Sequence, residues 1–251
     1  MNRWEGKVAV VTGCASGIGK AITCALLEKK IIVVGLDVQN KEEKEMADNR
    51  ENRYYPLRCD VTNEDDVDAA FLFIKKKFNG VHIMVNNAGV IDFCPIIESN
   101  KKTFEKLLNV NVLAMAICTN RAVRLMREKN VEGYIFNINS ITGQKIYPPT
   151  HPEIPGHNGW NLYPASKHAA VALTHTVRQE LCTIKSPIKI TSICPGIVKT
   201  NLGNRFLPIK ESPIKHPSIL PEDVADALVY ALGTRPEVQI TEIAIQNIEE
   251  A

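Results

Sequence analysis

The chemistry in this sequence starts at Tyr163-Pro164-Ala165-Ser166-Lys167. A phenol and an ammonium four residues apart at a helix start fall on one face of the helix. Free tyrosine has a pKa of about 10, too high for a base at neutral pH, and a nearby cation favours the phenolate. Ser140 follows an apolar, strand-like run, and its hydroxyl could bind a substrate oxygen. Asn111 lies inside an apolar helical pattern, where a polar side chain needs a partner unless it faces solvent. Each feature alone is common by chance. Together they compose a proton-transfer site.

A second group of residues has the makings of a phosphate cradle. Thr12-Gly13-Cys14-Ala15-Ser16-Gly17-Ile18-Gly19 separates a strand-like run from a helical pattern. Glycines there permit a tight turn and close backbone approach to a pyrophosphate at the helix N-terminus. The spacing is Gly-x-x-x-Gly-x-Gly, a modest signal by itself. Asp37 closes the second strand-like run, where a carboxylate can accept hydrogen bonds from an adenosine ribose, although a capping or turn residue would look the same. Asn86-Asn87-Ala88-Gly89 and Cys194-Pro195-Gly196-Ile197-Val198-Lys199-Thr200 also follow strand-like runs.

The elements that must position these loops alternate almost from end to end. Strands are expected at 7–11, 31–36, 54–58, 81–85, 133–138, 188–193 and 238–245. They are rich in Val and Ile, as suits strands buried on both faces. Helices are expected at 64–78, 100–127, 162–183 and 221–232, with stripes such as Val224, Leu228 and Leu232. This alternation predicts an α/β fold: one doubly wound (Rossmann) domain over 1–251, with a seven-stranded parallel sheet and helices on both faces. Two proline-rich stretches, 143–160 and 201–220, break the pattern as long loops beside the candidate catalytic residues, where lids are often found.

Bulk properties narrow the functional classes. The 251 residues carry 30 basic and 28 acidic side chains, well interspersed, so no broad field invites nucleic acid. No apolar run approaches the ~20 residues of a membrane span. The strand-like run at 7–11 begins too early for a targeting peptide, and a cytoplasmic protein is expected. The seven cysteines lack Cys-x-x-Cys spacing and read as reduced thiols. His151 and His157 share a loop but lack further ligands, so no metal is expected.

The chain resembles the classical short-chain dehydrogenase/reductases over essentially its whole length. The resemblance rests on Thr12–Gly19, Asp60-Val61, Asn86–Gly89, Asn109-Val110-Asn111-Val112, Asn139-Ser140-Ile141-Thr142-Gly143, Tyr163–Lys167 and Pro195-Gly196, in that order. Arg3-Trp4, Ile117-Cys118-Thr119 and Tyr163–Ala170 are most similar to the insect farnesol dehydrogenases and the vertebrate dehydrogenase/reductase member 11 group. The resemblance implies roles. Tyr163 would be the general base in oxidation and the acid in reduction. Lys167 would lower its pKa and bind the nicotinamide ribose, Ser140 would hold the substrate oxygen, and Asn111 would hold a proton-relaying water. Gly13, Ser16, Gly17, Ile18, Gly19, Asp37, Asp60, Val61, Asn87, Ala88, Gly89, Pro195, Gly196, Val198 and Thr200 would join Tyr163 and Lys167 around the cofactor. Two departures matter. The closest branch ends its second strand Gly-Leu-Ala-Arg, with an arginine suited to a 2′-phosphate; here Gly35-Leu36 is followed by Asp37-Val38, which favours NAD over NADP. The 22 residues between Ser140 and Tyr163 also exceed the usual spacing.

The expected activity is therefore NAD-dependent hydride transfer on a lipophilic, isoprenoid-like alcohol or its carbonyl. Apolar residues in the two loops carry the substrate class: Ile146, Tyr147, Ile154 and Trp160 on one side, Leu202, Phe206, Leu207, Ile209, Ile214 and Ile219 on the other. The alternatives are an NADPH carbonyl reductase for ketones or steroids and a dinucleotide-binding protein without catalysis. The resemblance implies a homodimer or homotetramer packed through the helix of Tyr163 and Lys167, and the small residues along His168-Ala169-Ala170-Val171-Ala172-Leu173 permit close approach there.

Overall fold

The computed structural model describes residues 1–39, 52–148, 158–202 and 217–250. Seven strands form one parallel sheet: β1 (Val8–Thr12), β2 (Ile32–Asp37), β3 (Tyr54–Arg58), β4 (Ile83–Asn86), β5 (Gly133–Ile138), β6 (Ile188–Pro195) and β7 (Glu242–Ile245). Their order is β3-β2-β1-β4-β5-β6-β7. Among the described residues six helices connect them: α1 (Gly17–Glu28), α2 (Glu64–Phe78), α3 (Lys101–Leu108), α4 (Ala114–Glu128), α5 (Tyr163–Thr183) and α6 (Pro221–Gly233).

The run Val8–Val11 is uniformly apolar because both faces of the strand are covered. Ala9 and Val11 join Ile22, Leu26 and Leu27 of α1 and Val224, Leu228 and Leu232 of α6 in one core layer. Val8 and Val10 join Val67, Phe71 and Ile74 of α2, Ala122 of α4 and Leu181 of α5 in the other. The outer strands are less buried than their sequence suggests. β3 and β7 are edges with half-exposed residues, and β7 starts at Glu242 rather than at 238.

Local signals set the helix ends. Asn63 caps α2 by accepting the Asp65 N–H. Three acidic residues open that helix and Lys75, Lys76 and Lys77 close it, each complementing the helix dipole. The helix expected over 100–127 is instead interrupted: α3 and α4 are joined by a π-helical segment, Asn109–Leu113, around Asn111. Single π turns of this kind widen a helix and are frequent at functional sites.

Between β1 and β4 the strand order reverses, which opens a crevice at the carboxyl ends of the two strands. The Gly13–Gly19 loop leaves β1 there and the Asn87–Gly89 loop leaves β4.

Candidate active site

The glycine loop is shaped by close contacts. Gly13 and Gly17 have φ of +67° and +52°, a region side chains rarely adopt. A Cβ on Gly19 would collide with the Gly13 carbonyl and the Asn87 amide, so the α1 start packs directly on the loop. Ser16 precedes α1 without a side-chain cap, and the first turn carries no acidic residue. Such a helix start is suited to an anion.

Asn87 and Thr12 fasten this loop to β4. The Asn87 Nδ2 donates to the Thr12 and Gly13 carbonyls (2.9 and 3.2 Å), while Thr12 Oγ1 accepts the N–H groups of Asn87 and Ala88 (both 3.0 Å). Asp37 Oδ2 accepts the Ala15 N–H at 3.0 Å and Oδ1 accepts the Gln39 N–H at 2.9 Å. The carboxylate is thus both a brace for the loop and part of a cavity wall. Asp60 is braced too, its Oδ1 accepting the Thr62 N–H and hydroxyl.

The catalytic candidates lie about three strands away, roughly 14 Å at ordinary strand spacing. Ser140 follows β5 and caps a short 3₁₀ turn, Ile141–Gly143. Its Oγ accepts the Thr142 N–H (3.2 Å) and the Thr142 hydroxyl (2.9 Å). Tyr163 opens α5 and is buried. Burial pushes its phenol up to about 12, while the hydroxyls of Ser140 and Thr142 pull the other way. The Lys167 ammonium donates to the Ile138 carbonyl at 3.0 Å and sits 5.7 Å from the Tyr163 ring centroid. Burial brings its own pKa down to about 8.

Asn111 is buried, not solvent-facing. Its Oδ1 accepts the Val90 N–H (2.9 Å), and its Nδ2 donates to the Val90 carbonyl (2.9 Å) and Ser166 Oγ (3.0 Å). A Cβ placed on Gly89 would have Asn111 Oδ1 at 3.6 Å and Lys167 Nζ at 3.9 Å, so the two polar groups converge over that glycine.

One cavity of about 760 Å³ joins both groups. Gly13, Ser16, Gly17, Ile18, Asp37, Asp60, Val61, Asn87, Ala88, Gly89, Ser140, Tyr163, Lys167, Pro195, Gly196, Val198 and Thr200 all border it. Gly19 and Asn111 stand behind the wall, one against the loop and the other against Val90 and Ser166. Of the apolar loop residues, Tyr147, Trp160 and Leu202 border the cavity beside Val90, Ile91 and Ile141. Ile146 does not; it is 71% exposed. Ile219 packs on the core under the sheet and bridges to Val198. Ile154, Phe206, Leu207, Ile209 and Ile214 lie outside the described residues, as do His151 and His157.

The whole chain is 38% identical to the farnesol dehydrogenase of Aedes aegypti, covering 99% of that protein. It is 35% identical to the human dehydrogenase/reductase SDR family member 11, again over the full chain and 97% of the relative. Residues 7–208 match the short chain dehydrogenase family. The chain belongs to that family. It is thus a short-chain oxidoreductase on a nucleotide-binding fold. Two solved structures share the fold. One is the closed form of a serine dehydrogenase complexed with NADP+ (TM-score 0.80, 22% identity, 95% of this chain and 94% of that one). The other is a 4-hydroxyisoleucine dehydrogenase complexed with NADH (TM-score 0.77, 24% identity, 96% and 97%).

Sequence reasoning passed over three residues that shape the site. Thr142 stands in the Asn139–Gly143 motif with no role of its own, yet its hydroxyl donates to Ser140 Oγ. Asn161, buried with φ of +48°, donates from Nδ2 to Asp92 Oδ1, the Cys94 carbonyl and Ser99 Oγ, tying the loop after β4 to the start of α5. Glu250 reaches the cavity from the C-terminal turn. Asn161 carried a readable hint, since Asn tolerates left-handed backbone. Glu250 carried none.

Proposed function

We propose that this chain oxidises a lipophilic, isoprenoid-like alcohol with NAD, and reduces the corresponding carbonyl in reverse, using Tyr163 as general base and acid. The observation that carries the reading is the joining of Tyr163, Lys167 and Ser140 to the glycine loop and Asp37 in one cavity. The residues present fit a dinucleotide: the uncapped start of α1 suits its phosphates and Asp37 its adenosine ribose. Among the described residues bordering the cavity, Lys167 is the sole Lys or Arg, and it lies three strands from Asp37. Among the described residues, a 2′-phosphate beside Asp37 would therefore meet a carboxylate without a cation, which supports NAD over NADP. The Lys20 side chain, a candidate to offset this, borders a different hollow, and Lys41 lies outside the described residues.

When bound, the oxidised dinucleotide supplies the hydride acceptor and a positive charge near the reacting carbon. The protein manages the proton. Thr142 donates to Ser140 Oγ, which leaves the Ser140 hydrogen to point at the substrate oxygen. That oxygen loses its proton to Tyr163 as the hydride leaves its carbon. Lys167, with Asn111 beside it over Gly89, returns the proton towards solvent. Val90, Ile91, Ile141, Tyr147, Trp160 and Leu202 supply the apolar wall for the substrate.

All of residues 1–251 are proposed to act as one domain, in the cytoplasm, as a homodimer or homotetramer. The outer face of α5, with Ala165, His168 and Ala172 exposed, suits such packing. Among the described residues no helix is long and apolar enough to cross a membrane. The deciding assay follows reduced-cofactor absorbance with NAD and NADP across alcohols of rising chain length, for wild type and Tyr163→Phe. Efficiency should rise with length before levelling, because each buried methylene adds ~0.8 kcal/mol at most. It should favour NAD and collapse in Tyr163→Phe. Better turnover of short polar alcohols would overturn the lipophilic reading, and an active Tyr163→Phe would overturn the mechanism.

A further inference from the structure

The wall of the cavity beside Pro195–Val198 is completed from the far end of the chain. Residues 247–250 form a turn, with the Glu250 N–H donating to the Asn247 carbonyl (2.9 Å) and the Glu249 N–H to Asn247 Oδ1 (3.0 Å). Asn247 Nδ2 holds that turn to the Ser218 carbonyl at 3.1 Å. From there the Glu250 carboxylate enters the same cavity as Tyr163 and Lys167. Its Oε1 and Oε2 both accept the Ile197 N–H, at 3.0 and 3.1 Å. It also lies so close over Gly196 that a side chain there would collide with it.

This carboxylate is held at a cost. Burial raises its pKa, offset only by the backbone N–H groups of Ile197 and its own turn. The neighbouring amides are already engaged, Gly196 with the Ile245 carbonyl and Lys199 with the Ile219 carbonyl. Among the described residues no ion pair holds it, so burial works against the charge, and the Ile197 N–H can pass to a neutral acceptor while the carboxylate regains water.

A nicotinamide carries such an acceptor, its carboxamide oxygen. The reactive end of a dinucleotide must reach Tyr163 and Lys167, and the backbone wall at that end is Pro195–Val198. We propose that Glu250 sets cofactor affinity: its carboxylate occupies the Ile197 N–H and the space over Gly196, and the C-terminal turn must be displaced for the nicotinamide to bind. The proposal rests on the reading of this cavity as a dinucleotide site. Affinity is lowered by the fraction of molecules in which the turn is docked, so a chain without the carboxylate binds more tightly.

The test titrates NADH, by its fluorescence, into the full-length wild type, Glu250→Gln and Glu250→Ala. ADP-ribose, which lacks the nicotinamide, is titrated in parallel. Glu250→Ala should bind NADH about three- to tenfold more tightly than wild type, with Glu250→Gln between them, and ADP-ribose should bind all three alike. In the wild type, NADH but not ADP-ribose should also speed release of the C-terminal residues by carboxypeptidase. Equal or weaker NADH binding by Glu250→Ala overturns the proposal while leaving the dinucleotide site intact. A tightening shared by ADP-ribose overturns it as well. Failure of every form, wild type included, to bind either ligand overturns the dinucleotide reading itself. If neither variant folds, the wild-type digestion decides: a tail released at the same rate with and without NADH refutes displacement.

Discussion

Lys167 is predicted to weaken the fold that carries it. Burial holds its pKa at about 8, against 10.5 for the free side chain. At pH 7 the charged lysine therefore costs about 3 kcal/mol more in the fold than in the unfolded chain. Lys167→Met keeps the aliphatic stem and removes the charge. It also strands the Ile138 carbonyl, which accepts from Nζ at 3.0 Å, a loss of about 1 kcal/mol. The net gain is about 2 kcal/mol, or about 4–8 °C in melting temperature for a chain of this size. The sign with pH follows from the depressed pKa. Between about 8 and 10.5 the unfolded chain binds a proton that the native state does not, so wild-type stability rises through that window. The advantage of Lys167→Met should shrink to nothing by about pH 10. Thermal unfolding without cofactor at pH 7 and pH 10 reads this directly. A variant that melts below wild type at pH 7, or whose advantage persists undiminished at pH 10, refutes the reasoning.

Thr142→Val should lower turnover about tenfold by removing the hydroxyl that orients Ser140, a loss of about 1.4 kcal/mol. The ascending limb of its pH–rate profile for oxidation, set by ionisation of the base, should move to higher pH, since the Thr142 hydroxyl is one of two groups that hold the Tyr163 pKa down. Thr142→Ser should restore both, and an unshifted profile would reduce Thr142 to a packing role. Asp37→Ala should narrow the preference for NAD over NADP from at least tenfold towards parity. Because Asp37 also accepts the Ala15 N–H, affinity for both cofactors should fall, and an unchanged ratio in steady-state kinetics would remove Asp37 from cofactor choice.

The parallel sheet was legible because its central strands are buried on both faces, so Val8–Val11 and Gly133–Ile138 read as unbroken apolar runs. Edge strands show that signal less well, and β7 is shorter than its apolar pattern implies because only part of the 238–245 run finds a partner in β6. Helix periodicity located 100–127 but not the π segment, since a one-residue widening leaves the spacing of apolar positions almost unaltered over a single turn. The chemical residues were legible as types at motif spacing. Their second partners were not, because these come from distant segments: Asn111 meets Val90 and Ser166, and Ile197 meets Glu250. The surroundings of Tyr163 were hidden for the same reason. Spacing shows a lysine four residues away, but not that its ammonium is turned to the Ile138 carbonyl while burial acts on the phenol.

Asparagine side chains do much of the joining around the site, and their chemistry explains why. An amide offers a donor and an acceptor at fixed separation, so one residue can tie two segments without bringing a charge into a cavity that must admit phosphates. Asn86 Nδ2 donates to Thr119 Oγ1 and Asn137 Oδ1, and Asn137 Nδ2 continues to Thr174 Oγ1 on α5. That chain of hydrogen bonds fixes the helix bearing Tyr163 and Lys167 to the middle of the sheet. Asn87 ties β4 to the glycine loop, Asn111 ties Val90 to Ser166, and Asn161 ties the 92–99 segment to the start of α5. The stretch from Asn86 to Cys94 is therefore held from four directions, and it runs between the Asp37 end of the cavity and the Tyr163 end. On the proposed function, this bracing fixes the separation of the glycine loop and Tyr163, the distance on which hydride transfer to a fixed carbon would depend. The opposite wall is less braced by asparagines, and there Tyr147, Trp160 and Leu202 contribute apolar side chains from the two long loops, where the proposed substrate would be selected.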